Sequence, residues 1–162
     1  MDESGIRIMR ILISNRQKIE RPNTPAIRRL ILFFMTRPRK DRPRRRWDEL
    51  SLVLTDDAGI GRINRLYLER EGATDVISFA WPAGPVGGGY CGELFVNIQR
   101  AFAVGRSNFE REMALYIAHA CDHMSGASDR SGLGRRRMRN RELAWLRVAA
   151  QRSLLRDLLK IR

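Results

Sequence analysis

The chain has 162 residues, of which 43% are hydrophobic, enough for one ordinary domain with its own core. Its 31 lysines and arginines exceed its 18 aspartates and glutamates, which gives a formal net charge of +13. This charge favours an acidic partner, and we expect RNA or DNA rather than an anionic membrane surface. The longest apolar run, Leu30–Met35, is too short to span a bilayer. Two cysteines do not make a disulfide framework, so we expect a cytoplasmic protein with no membrane segment.

The first half of the chain predicts two strands and two helices. Isoleucines alternate with arginines over Ile6–Ile13, a pattern typical of a strand. Thr24 is the predicted cap of a first helix, and Arg37–Arg46 follows it as an exposed basic loop. Leu50–Leu54 is a second strand, and a second helix capped by Asp56 comes after it.

The second half predicts two more strands and two more helices. Thr74–Trp81 is apolar on both faces, which favours a central position in the sheet, and Glu93–Ile98 is a fourth strand that we place at an edge. Ser107 and Glu110 fit a capping box at the start of a third helix. A last helix runs from about Arg135 toward the C-terminus. This order indicates an α+β fold: a single domain with a mixed four-stranded sheet packed with helices.

The third predicted helix carries the only two histidines of the sequence, His119 and His123. Side chains at i and i+4 share one face of a helix, about 6 Å apart along its axis, so both could bind one ion. Gly126 can end the helix in a left-handed conformation, after which Asp129 offers a carboxylate as a third ligand. The pattern HxxxHxxGxxD therefore predicts one divalent ion, expected to be Zn²⁺, on a central helix. A fourth position left for water is typical of a catalytic zinc site.

Other readings of this motif stay open. A histidine pair at this spacing occurs by chance on many helices, and Asp129 could simply be a loop residue. Two histidines and a carboxylate are also the ligand set of non-haem Fe(II) oxygenases, although those usually lie on a β-barrel scaffold. Position 120 is alanine, so the glutamate base of an HExxH protease is absent. Cys121 points away from the histidine face and is predicted to be core.

The segment from His119 to Asp129 resembles the signature HGxLHLxGYDH of the YbeY family of endoribonucleases. Both histidines and Gly126 match, and Asp129 stands where the family has its third histidine. Further blocks follow the family pattern in the same order and spacing. They are Asn64–Tyr67 with Thr74–Phe79, similar to NxxY…TDVLSF; Gly92–Val96, similar to LGDIVI; and Met138 with Glu142, similar to an M…E pair.

The resemblance implies a metal-dependent endoribonuclease that cleaves single-stranded RNA during 16S ribosomal RNA maturation and ribosome biogenesis. It implies ribosomal RNA or the small ribosomal subunit as partner, and one domain over residues 1–162 whose motifs cover about residues 60–146. The family carries an arginine directly after the tyrosine, where this chain has Leu68. Arg65 and Arg70 lie nearby in the sequence, and no residue is assigned here as catalytic. Asp75 and Glu93 are carboxylates that could assist the site or pair structurally.

Two arginine clusters are the candidates for RNA binding, since they would hold the phosphate backbone and make binding depend on salt. They are Arg44, Arg45 and Arg46, and Arg135, Arg136 and Arg137. Each cluster could equally be a solvated surface. Alternatives for the whole protein are a basic RNA- or ribosome-binding assembly factor with weakened catalysis, or another metal-dependent hydrolase. A membrane-surface role would require Gln151–Arg162 to form an amphipathic helix.

Overall fold

The computed structural model describes residues 9–37, 39–40, 44–84 and 88–160. A short 3₁₀ turn, Arg106–Asn108, joins two of its helices. In chain order the elements are β1 Arg10–Asn15, β2 Arg21–Pro22, α1 Thr24–Met35, β3 Trp47–Thr55, α2 Asp57–Leu68, β4 Val76–Pro82, β5 Tyr90–Asn97, α3 Ile98–Gly105, α4 Phe109–Met124, α5 Gly132–Gln151 and β6 Leu159–Lys160.

The main sheet has four strands in the order β1-β3-β5-β4. Strands β1, β3 and β5 run parallel, while β4 is antiparallel to β5. The short strands β2 and β6 form a separate antiparallel pair. The predicted fold class, α+β with a mixed four-stranded sheet packed with helices, is confirmed. Within the described residues no helix is long and apolar enough to cross a membrane.

The hydrophobic core lies on both faces of this sheet because side chains alternate along each strand. Leu50, Leu52 and Leu54 of β3 are fully buried against a large cluster that includes α1, α4 and α5. On the opposite face, Phe95 of β5 joins Ile60 of α2 in a second, smaller cluster. The sheet therefore lies between α2 and a layer formed by α1, α3, α4 and α5, and α4 contacts the other three helices of that layer.

The predicted positions of the last two strands are wrong. Thr74–Trp81, predicted as central, forms β4, which pairs on one side only, with β5. Glu93–Ile98, predicted as an edge, lies within β5 and its following residue, and β5 pairs with both β3 and β4. The apolar residues of β4 reflect contacts above and below the sheet: Ile77 is buried in the cluster with α2, while Val76 packs against the large core. A strand can therefore be covered on both faces of the sheet while it is hydrogen-bonded to a neighbouring strand on one side only.

Helix boundaries differ from the predictions at several ends. The cap of α1 is Asn23, whose side chain accepts from the amide of Ala26, so Thr24 is the first helical residue instead. The predicted capping box at the start of α4 is absent, because the helix begins after Asn108 without a side-chain cap. Glu110 instead accepts hydrogen bonds from the amides of Leu158 and Leu159.

The last helix is α5, which begins at Gly132 rather than at about residue 135 and ends at Gln151. Residues 152–160 therefore do not form the amphipathic helix considered above, and residues 161–162 lie outside the described part of the chain. The chain turns after α5, and Leu158 and Leu159 are buried in the core. The first strand begins at Arg10, and the part of Ile6–Ile13 before residue 9 lies outside the described residues.

Candidate metal centre

Helix α4 and the turn after it bring His119, His123 and Asp129 together. The Nε2 atoms of the two histidines are 3.0 Å apart, and Asp129 Oδ2 is 3.6 Å from His123 Nε2. One ligand atom from each residue lies within 4.8 Å of the others, so this group could hold a metal ion. Gly126 has φ 97°, the left-handed conformation that the sequence predicted for the end of this helix. Its turn returns Asp129 to the histidine face.

The other ring nitrogen of each histidine, Nδ1, lies within hydrogen-bond distance of an oxygen atom. His119 Nδ1 lies 2.7 Å from a carboxylate oxygen of the buried Glu142, and His123 Nδ1 lies 3.1 Å from the carbonyl oxygen of Ala127. Carboxylates and carbonyls accept hydrogen bonds, so both Nδ1 atoms carry the proton and donate. In the neutral rings both Nε2 lone pairs then face each other at 3.0 Å. This arrangement is favourable only with a cation between them, either a metal ion or a proton.

Electrostatics at His119 favour positive charge. Burial alone would lower the pKa of His119 below its ordinary value of 6.5. The hydrogen bond and charge of Glu142, with the charges of Asp75 and Asp129, outweigh burial and raise that pKa. The same carboxylates would stabilise a divalent ion. A histidine that donates its free N–H to a carboxylate is also the usual arrangement behind a metal ligand.

Three arginines hold the last turn of α4, next to His123. The fully buried carboxylate of Asp122 accepts hydrogen bonds from Arg141, at 2.8 and 2.9 Å, and from Arg39 at 3.4 Å. Arg39 also donates to the Cys121 carbonyl, and Arg45 donates to the Met124 carbonyl at 2.6 Å. These carbonyls belong to the last turn of α4, and cations are favourable at a helix C-terminus. The arginines therefore fix the end of the helix that carries the two candidate histidine ligands.

The two predicted arginine clusters differ in structure. Arg44 and Arg46 are exposed, whereas Arg45 is half-buried by its bond to Met124 and lies over the ring of Tyr90. At least part of the first cluster therefore serves the fold. The second cluster is exposed on the first turns of α5, and its first member donates to the backbone oxygen of Asp129 at 3.0 Å. It consists of Arg135, Arg136 and Arg137.

An open cleft of about 470 Å³ lies beside the two histidines. The end of α2, strand β4, helix α4 and the turn carrying Asp129 form its walls. Leu68, Arg70 and Asp75 line it, while Glu93 does not. Asp75 accepts hydrogen bonds from the Thr74 hydroxyl and from the amide of Val76, so this carboxylate is held at the cleft wall.

Sequence reasoning identified the three candidate ligands but missed their supports. Glu142 appeared only as part of a family block, without a role, although it contacts His119 across 23 positions of sequence. Asp122 lies between the histidines in sequence and gave no signal, because its partner Arg39 is 83 residues away. A buried acidic residue within a helix that otherwise buries apolar side chains was the available clue.

The fold and the site together define an α+β protein with a His–His–Asp group, able to hold a metal ion, at the wall of an open cleft. A family model described as Endoribonuclease YbeY matches residues 12–149. The chain belongs to this family, which confirms the resemblance recognised from the motifs.

Relatives agree with this assignment, and a solved structure agrees with the fold. An Endoribonuclease YbeY from Salinibacter ruber is 36% identical over 106 residues, covering 60% of this chain and 68% of that protein. One from Geobacter metallireducens is 32% identical over 134 residues, covering 76% and 84%. The solution structure of TM1509 from Thermotoga maritima aligns with a TM-score of 0.54 at 16% identity, over 93% of this chain and 96% of that one. At this identity it supports the fold alone.

Proposed function

We propose that this protein is a metal-dependent endoribonuclease that cleaves single-stranded RNA during ribosomal RNA maturation in the cytoplasm. The observation that carries the metal dependence is the pair of Nε2 atoms 3.0 Å apart, each on a ring whose Nδ1 is already hydrogen-bonded. The RNA substrate rests on membership of a family whose relatives are named endoribonucleases. The net charge of +13 suits a polyanionic substrate. We further propose that the chain acts as one domain.

The donor set fits a small divalent ion, and we propose Zn²⁺ held by His119, His123 and Asp129. Two imidazole nitrogens and one carboxylate oxygen are common zinc ligands. Adjacent donors around a tetrahedral ion at about 2.1 Å would lie roughly 3.4 Å apart. The 3.0 and 3.6 Å separations measured here bracket that distance. These two donor pairs would need little movement to admit the ion.

The chain's own residues would orient the reaction. A divalent ion at this group would supply Lewis acidity toward a phosphoryl oxygen and lower the pKa of a water molecule. Glu142 keeps the His119 proton on Nδ1, and the Ala127 carbonyl does the same for His123, so both Nε2 atoms remain available as ligands. Asp75 is held at the cleft wall by Thr74 and the backbone, where it can accept a proton from an approaching water molecule.

Two features favour a second candidate, a basic RNA- or ribosome-binding assembly factor with weakened catalysis. Asp129 replaces the family's third histidine, and Leu68 lines the cleft where the family carries arginine. A carboxylate ligand lowers the positive charge of a metal centre by about one unit, which would weaken its acidifying effect on water. This candidate predicts RNA binding without metal-dependent cleavage.

Metal analysis beside an RNA-cleavage assay tests the proposal. Protein purified without added metal should carry about one divalent ion per chain, and His119→Ala and His123→Ala should each lose it, because two remaining ligands hold an ion weakly. Asp129→Ala should lose the ion as well, whereas Asp129→His should retain it. Full metal retention in all three alanine variants would contradict the site.

Cleavage is measured on an unstructured RNA and on an unstructured peptide. We expect the RNA alone to be cut, with activity lost on chelation and restored by added metal. A protein that binds the RNA and never cuts it, even when loaded with metal, would support the assembly factor instead. Precursor ribosomal RNA as substrate then tests the proposed place in ribosome biogenesis.

A further inference from the structure

The cleft beside the histidines has one arginine or lysine among the described residues that line it, Arg70. Its other charged groups outside the histidines are the carboxylates of Asp75 and Asp129. A phosphodiester entering this cleft brings a further negative charge beside these two. A cation on the cleft wall would offset that repulsion, and Arg70 is placed to do so.

The backbone around Arg70 is held in place by the end of α2. Glu69 caps the helix in the left-handed conformation, with φ 53° and ψ 35°, which reverses the chain direction. The carbonyl oxygen of Asn64 then accepts from the amide of Arg70 at 3.3 Å. The side-chain amide of Asn64 donates to the carbonyl oxygen of Gly72 at 2.9 Å. Asn64 therefore fixes both sides of the turn that presents Arg70 at the cleft.

The guanidinium of Arg70 is exposed and makes no hydrogen bond or ion pair with any other described residue. Its neighbour Arg65 differs, because Arg65 Nε lies 3.2 Å from a carboxylate oxygen of Glu71 and its side chain does not line the cleft. A fixed backbone with an unpaired cationic head suits a residue that binds an external anion. Guanidinium presents paired donors that match two phosphate oxygens.

We propose that the Arg70 guanidinium contacts a phosphate of single-stranded RNA in the cleft beside the metal group. This inference rests on the proposed endoribonuclease function. It assigns Arg70 to substrate binding and leaves the metal group and the fold independent of it. Leu68 shares the same wall without offering a charge, so Arg70 is the arginine of this segment that can neutralise a substrate phosphate there.

The first test measures RNA binding in metal-free protein, where no cleavage occurs. Arg70→Ala should weaken binding of an unstructured RNA and reduce the slope of log affinity against log salt by about 0.7, the contribution of one phosphate contact on a single strand. Arg70→Lys should restore the salt slope, since it keeps the charge. Arg65→Ala, in the last turn of α2 and paired with Glu71, is the matched control and should leave the slope unchanged. A slope that is identical for Arg70→Ala and the parent overturns the contact.

The second test measures cleavage by metal-loaded protein. Arg70→Ala should lower kcat/KM by about 10- to 150-fold, the range for a hydrogen bond to a charged group, with metal content and melting temperature unchanged. Replacing successive RNA phosphates with neutral methylphosphonates should reveal one position that costs the parent activity and costs Arg70→Ala almost none. Equal costs in both proteins at every position would overturn the proposal.

The two tests separate this inference from the function on which it rests. A parent that cleaves RNA while Arg70→Ala behaves identically overturns the Arg70 contact and keeps the nuclease. A parent that never cleaves, but whose RNA binding depends on Arg70, keeps the contact and overturns the nuclease. A parent that does not bind RNA overturns both.

Discussion

Replacing Glu142 by glutamine tests whether the residue behind His119 controls metal binding. Glu142 is buried, and its carboxylate oxygen lies 2.7 Å from His119 Nδ1, within the range of a charge-assisted hydrogen bond. Glutamine keeps nearly the same shape, and its amide oxygen can still accept the hydrogen bond from His119 Nδ1. The substitution therefore removes the negative charge while leaving the ring orientation available.

The expected loss follows from two independent magnitudes. Hydrogen bonds to charged groups contribute about 1.5–3 kcal/mol, which corresponds to roughly 10- to 150-fold in an equilibrium constant. Outer-sphere partners of metal-binding histidines, when mutated, cost about 10- to 100-fold in metal affinity. We therefore expect Glu142→Gln to weaken metal binding by about 10- to 100-fold without abolishing it, whereas loss of a ligand should empty the site.

Metal affinity is measured by competition with a chelator of known affinity over a series of pH values, so that competition from protons at His119, whose pKa is raised, is separated from the loss of metal affinity. Glu49→Gln is the control, because Glu49 pairs with Arg10 and does not line the cleft. Circular dichroism of both metal-free variants shows whether the fold is retained. If folded Glu142→Gln binds metal as tightly as the parent, the negative charge of Glu142 does not support the site.

The metal-free protein gives a second readout of the same pair. The pKa of His119 is raised above 6.5, so its protonated form is favoured in the folded state. This stabilising contribution is complete below the unfolded pKa and is lost as pH rises through the higher folded pKa. Glu142→Gln removes the charge that raises this pKa, so the imidazole resonance should titrate at lower pH and the pH dependence of stability should shrink. An unchanged titration would contradict the coupling.

Further predictions concern the supports of the site. Asp122→Ala leaves the buried charges of Arg39 and Arg141 without their carboxylate and should lower the free energy of unfolding by about 3–5 kcal/mol, measured by urea denaturation. A loss below about 1 kcal/mol would show that this ion-pair network is unimportant for stability. Gly134→Ala places a Cβ 2.3 Å from the carbonyl oxygen of Ser128, so it should displace the turn before α5 and lower metal affinity, measured by chelator competition; equal affinity would show that the turn adapts. Arg45→Ala should lower the melting temperature while Arg44→Ala should not, because of these two residues it is Arg45 whose guanidinium donates to the carbonyl at the end of α4. Equal melting temperatures would refute that role.

The parts of the site that could be predicted were those fixed by local geometry. His119, His123, Gly126 and Asp129 lie within one helix and its terminating turn, so the helical repeat and the conformational freedom of glycine are enough to bring them together. The identification of Glu142 as the partner of His119 requires knowing how α5 packs on α4. No periodicity in the sequence contains that information, because 23 residues and a turn separate the two residues.

Strand order could not be predicted for a related reason. The apolar pattern of Thr74–Trp81 indicates which faces of a strand are covered, and β4 is indeed contacted from both sides of the sheet. It does not indicate which strands lie beside it, because lateral pairing is made by backbone groups that every residue has. The prediction for Glu110 was wrong because this carboxylate has hydrogen-bond partners other than the start of its own helix. Its carboxylate matches a capping pattern, yet it bonds to amides 48 and 49 residues further along the chain.

Because Glu142 of α5 contacts His119, the candidate metal site is complete only after the C-terminal helix has been synthesised. All three candidate ligands leave the ribosome before Glu142 does, since it lies later in the chain. An emerging chain that ends before α5 would offer two histidines and an aspartate without the carboxylate that orients one of them and without Arg141 to hold the end of α4. With the proposed metal site, tight loading would wait until the C-terminal helix has docked and Glu142 has reached His119.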